Sequence, residues 1–100
     1  MNELKHEGQV VYYNDVKHYA LIAEKIPAAS GGWYVEKYFA PLMRIIFQMS
    51  ERITVGQYAR FEVSATPPRN PGEYRLARNI ELFDTAEQMR VYVVATEARI

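Results

Sequence analysis

The sequence predicts an all-β fold of five short strands, and three observations predict it. Stretches rich in β-branched and aromatic residues recur at 9–13, 18–23, 33–39, 56–63 and 74–83. Turn formers separate them: Asn14 and Asp15, the loop EKIPAASGG at 24–32, and SATPPRNPG at 64–72, which holds three of the five prolines. Within the stretches the side chains alternate, so that Ala59, Phe61 and Val63 form an inward face and leave Tyr58, Arg60 and Glu62 outward. One hundred residues, 49% hydrophobic and 24% charged, make one folded domain. A chain of this length buries roughly two-thirds of its unfolded surface.

Taken in order, residues 1–7 are a polar lead-in. The first two strands form a hairpin across Asn14 and Asp15, in which Tyr19 and Leu21 share one face of the second strand and Ala20 and Ile22 the other. The third strand is WYVEKYF. Residues 41–50 are expected to be a short helix: Pro41 suits a first helical turn, and Leu42, Ile45, Ile46 and Met49 recur at helical spacing. Met43 and Phe47 lie off that stripe, buried against loops or held in a dimer contact. Beyond the fifth strand, residues 84–100 form a C-terminal extension packed on the barrel or on a partner. Asp84 with Glu87 would open a helix there as a capping box, whereas VYVV at 91–94 favours a strand.

Twelve basic and twelve acidic residues leave no net charge, which argues against a bulk polycation but allows a local basic face. The absence of cysteine excludes disulfides and thiolate metal sites. The N-terminal MNELKHEGQ lacks the apolar core of a secretory leader, and no run is long enough to span a bilayer, so a soluble, cytoplasmic protein is expected. His6 and His18 stand apart without a carboxylate at ligand spacing, so neither a metal nor another cofactor is expected. No Ser/Cys/His arrangement, phosphate loop or carboxylate pair suggests an enzyme, and Gly31-Gly32 reads as a turn.

The stretch GQVVYYNDVKHYALI, residues 8–22, resembles the opening of the bacterial cold-shock domain, GxVKWFNxxKGFGFI. It retains Gly8, Val10, Asn14, Asp15, Lys17 and Ile22, with aromatics at Tyr12, Tyr13 and Tyr19, while His18 and Ala20 replace two glycines and Leu21 a phenylalanine. GQYARFEV at 56–63 is similar to the family's GQxVxFEV, and ARNI at 77–80 to its AANV, with Arg78 in place of a small residue. Tyr34 and Val35 align with the Phe and Val of VFVHF, leaving Glu36 and Lys37 where His and Phe stand. The resemblance covers residues 8–83. It implies a five-stranded antiparallel OB-fold barrel, with the helix near 41–50 between strands three and four. Val10, Ile22, Val35, Phe61, Val63 and Ile80 would point inward.

It also implies a ligand, single-stranded RNA or DNA, and a role as an RNA chaperone or transcript regulator. Unpaired bases need exposed aromatic faces interleaved with cations. Tyr12, Tyr19 and Tyr34 supply the faces, Leu21 an apolar contact, Lys17 a cation beside them, and Lys37, Arg60 and Arg69 further phosphate contacts. Trp33 adjoins this platform and would report binding. Against this stands the packing reading of the tyrosines and a protein-interaction module that keeps the fold alone, since Glu36 within the platform would repel phosphate. Surplus apolar surface points to a two-fold homodimer.

Overall fold

A computed structural model describes residues 5–97. The beginning of the polar lead-in, residues 1–4, and the last three residues of the C-terminal extension lie outside the described residues. The chain runs β1 (His6–Asn14), β2 (Tyr19–Pro27), β3 (Trp33–Pro41), a 3-10 turn (Leu42–Arg44), β4 (Ile45–Gln48), β5 (Tyr58–Val63), β6 (Arg75–Phe83) and α1 (Ala86–Glu97). The sheet order is β3-β2-β1-β5-β6-β4, and a further pairing of β3 with β6 closes five strands into a barrel. No helix among the described residues is long and apolar enough to cross a membrane.

β1 begins two residues before Gly8, because His6 and Glu7 pair with Phe61 and Arg60 of β5. From Gln9 onward it pairs with β2, and a bulge at Val11 interrupts that pairing. The start of β5 is tied to the same bend: Val10 N–H donates to Gln57 O and Gly56 N–H to Val10 O, both at 2.8 Å. The Gln57 amide is itself spent, its oxygen accepting from Thr54 N and its nitrogen donating to Arg52 O and to Asp84 Oδ1.

The barrel interior holds Val10, Ala20, Ile22, Tyr38, Ala40, Ala59, Phe61, Ala77, Ile80 and Leu82, with Tyr13, Ile45, Ile53 and Val63 packed against it. Alanine recurs where strands converge, as at the directly opposed pair Ala20 and Ala40. Val35 is not inward: Tyr38 and Ala40 set the buried parity of β3, which turns Val35 out to 55% exposure.

Two further expectations are corrected. The barrel is not wholly antiparallel, since β3 and β4 each run parallel to β6. A closed ring of five strands cannot alternate direction throughout, so one neighbouring pair must run the same way. Residues 41–50 form no α-helix either, only the 3-10 turn followed by β4. The run Ile45-Ile46-Phe47 suits an extended backbone, and β6 offers it a free edge at Ile80–Leu82. The C-terminal extension is the helix α1, lying over β5 and β6 with Met89 buried.

Candidate functional site

The hairpin turn that shapes the site is built by Asn14. Its Oδ1 accepts from the backbone N–H groups of Val16 and Lys17, at 3.1 and 3.0 Å, leaving the Lys17 side chain exposed. His18 closes the turn in the left-handed region at φ 60°, the backbone form for which glycine is the easier occupant. Its carbonyl then accepts from Leu42 N–H at 3.1 Å, which ties the 3-10 turn bearing exposed Met43 and Arg44 to this end of the sheet.

From that turn the outer face of β1, β2 and β3 carries a connected run of rings. Tyr12 lies 5.9 Å from Tyr19, centroid to centroid, and Tyr19 lies 5.1 Å from Phe39, each pair tilted. Leu21 fills the space between, opposite Tyr12 on one side and Phe39 on the other. The bulge at Val11 is what brings Tyr12 here, since plain alternation from the buried Val10 would have turned Tyr12 inward. Asn14 Nδ2 donates to the Tyr12 hydroxyl and helps hold the ring.

Of the residues expected to bind, Tyr12, Lys17, Tyr19 and Leu21 come together at this end. Lys37 is exposed on the same outer face, two residues along β3 from Phe39 and opposite Ala23. Tyr34 does not join them: it pairs with Ile26, one step out of phase, on the opposite side of the ribbon. Phe39 stands in the place expected of Tyr34. Trp33 shares the outer face but sits at the far end of β3, opposite Pro27, about 20 Å along the strand from Phe39. Glu36 lies on the inner side opposite Glu24, away from the rings.

Arg60 and Arg69 are elsewhere. Arg60 is buried beneath α1, where Nη1 lies 3.7 Å from Glu81 and Nη2 donates to Glu97. It clamps the helix to the barrel. Around it the Tyr92 hydroxyl donates to Glu81 at 2.8 Å, and that bond, with burial behind it, raises the phenol above its ordinary range. Phe47, Phe83 and Tyr92 pack together there with centroids 5.0 to 5.7 Å apart, Phe47 stacked on Tyr92 and the other pairs tilted, so Phe47 is committed beneath α1. Arg69 is exposed in the loop between β5 and β6.

Two further features have no signal in linear spacing, because strand pairing and helix docking create them. At one end of the barrel Glu24 receives the Tyr38 hydroxyl at 2.8 Å, with His6 Nδ1 3.0 Å from the same oxygen. Burial, followed by the bond to Glu24, pushes the Tyr38 phenol well above its ordinary value. Between α1 and the sheet runs a groove of about 610 Å³, floored by Val11, Ala23, Val35, Met89, Val93 and Val94. No cluster of three or more potential metal ligands occurs among the described residues. Comparison with protein-family models, curated proteins and solved structures gives no match.

Proposed function

We propose that the chain binds single-stranded nucleic acid on the outer face of β1–β3, bases stacking on Tyr12, Tyr19 and Phe39 while Lys17, Lys37 and Arg44 meet phosphates. The observation that carries this reading is the separation of charge across the β2–β3 ribbon. Its outer side bears Tyr19, Leu21, Ala23, Lys25 and Pro27 opposite Pro41, Phe39, Lys37, Val35 and Trp33, rings and lysines without a carboxylate, while Glu24 and Glu36 fall on the inner side. Flat apolar rings beside cations are what unpaired bases and their backbone require. The ring order β3-β2-β1-β5-β6, with its parallel closure, supports an OB-fold of cold-shock type, a fold whose second and third strands face ligand.

Anisotropy of a labelled oligonucleotide tests it. Single strands bind better than duplex, and Tyr19→Ala and Phe39→Ala each cost about 1–3 kcal/mol in a folded protein, while Tyr34→Ala costs little. With few phosphates neutralised, log affinity falls with log salt by only about 0.7 per contact. Equal affinity for duplex, or unimpaired binding by the Tyr19→Ala, Phe39→Ala double variant, rules stacking out. The groove beside α1 favours a second reading, a protein-interaction module, to which complete failure to bind oligonucleotide at low salt would point.

A further inference from the structure

Strand β2 pairs with β3 along the whole of Trp33–Pro41, but on the other side β6 meets only Tyr38 and Phe39. Residues 33–37 therefore present an open backbone edge, unpaired among the described residues. Soluble proteins usually blunt such edges with charge, proline or a covering element. This one bears Trp33, Tyr34 and Val35, 68, 49 and 55% exposed, and its two charges, Glu36 and Lys37, are of opposite sign. We propose that it pairs with the same edge of a second copy of the chain, antiparallel about a two-fold axis at Val35, joining two barrels through one continuous sheet.

The order of side chains along the edge selects both the partner and the register. An axis at Val35 sets Val35 against itself, Trp33 against Lys37 and Tyr34 against Glu36. Opposed residues of an antiparallel pair share a face, so on the outer side valine meets valine and each lysine lies against an indole. On the inner side each Tyr34 hydroxyl meets a Glu36 carboxylate. Neighbouring registers lose this match: an axis at Glu36 opposes two glutamates, one at Lys37 opposes two lysines, and one at Tyr34 sets Glu36 and Lys37 against the glycines of the 31–32 turn. Like charges directly opposed destabilise a pair. Such self-complementarity is what an isologous contact needs and what a foreign peptide does not. The groove floored by Ala23 and Val35 lies beside this edge, so the second copy's Trp33, set against Lys37, comes to its lip. The rings at Tyr12, Tyr19 and Phe39 stay uncovered, and the proposal does not depend on what they bind; Lys37 is the one residue it shares with the nucleic-acid reading.

Sedimentation of the full chain, 11.6 kDa as a monomer, tests it first: the mass doubles as concentration rises. Val35→Lys, at an exposed site and checked for folding by circular dichroism, weakens the dimer by about tenfold or more through opposed like charges. The chain has no cysteine, so Val35→Cys gives one thiol at the axis, and Val55→Cys gives an exposed control away from it. Under mild oxidation Val35→Cys forms a covalent dimer at least about ten times faster than Val55→Cys, since opposed residues in an antiparallel pair lie within disulfide reach. A monomer at every concentration overturns the proposal. So does a dimer that Val35→Lys leaves intact, or cross-linking no faster at 35 than at 55.

Discussion

Gly8 is held against the backbone of β2: a Cβ added there would sit 2.3 Å from the Ala23 carbonyl oxygen. Backbone cannot swing aside as a flexible side chain would, so Gly8→Ala is expected to cost about 1–3 kcal/mol, read as a lowered urea midpoint. Asp84 gives the second prediction at this scale. Ser50 Oγ–H donates to one carboxylate oxygen and Gln57 Nε2 to the other, and these bonds hold the group below its ordinary value of 3.8. A depressed carboxylate stabilises the fold fully above that value and loses the contribution as pH falls through the folded one. The urea midpoints of wild type and Asp84→Asn are therefore expected to be furthest apart near neutrality and to converge below about pH 4. Individual site residues were legible only where strand parity was known. Tyr19 and Leu21 follow from alternation in β2, but Phe39 was hidden behind Tyr34, because an alignment shifted by one residue in WYVEKYF exchanges the two faces.

Helix α1 shows what local sequence reveals about an element and what it hides. Its start is a capping box, but one residue later than Asp84 and Glu87 suggest: Gln88 N–H donates to Thr85 Oγ1, and Gln88 Oε1 accepts from the N–H groups of Asp84 and Thr85, each at 3.1 Å. Thr85→Ala is expected to lower stability by about 1 kcal/mol, measured by denaturant unfolding. The strand-like VYVV became helical because Tyr92 docks on Phe47 and Phe83 and reaches Glu81, contacts made only with the barrel already folded. The opposite happened at 41–50, where a helical stripe yielded to a strand. Ile45 packs on the core and Phe47 beneath α1 while Ile46 stays out, a period of two that the apolar stripe of Leu42, Ile45, Ile46 and Met49 conceals.

On the scale of the whole molecule, the number of barrel strands was legible from the alternating stretches, but their closure was not, since which ends meet depends on the path of loops with no pattern of their own. The meeting is narrow. β3 joins β6 through Tyr38 with Arg75 and Phe39 with Leu76, just after the loop that contains Pro67, Pro68 and Pro71. The other side of β6 is braced by five pairs with β5. Protection of amides from solvent deuterium follows the cost of local opening. The join between β3 and β6 is therefore expected to exchange by an opening that leaves β5–β6 closed, seen by NMR as faster exchange at residues 38–39 and 75–76 than across β5–β6. Uniform protection around the ring would contradict this. Phe39 sits on the join itself, so the ring proposed to stack a base also belongs to the part of the wall expected to part first. A ligand seated on it is expected to slow deuterium uptake there, at amides it does not touch.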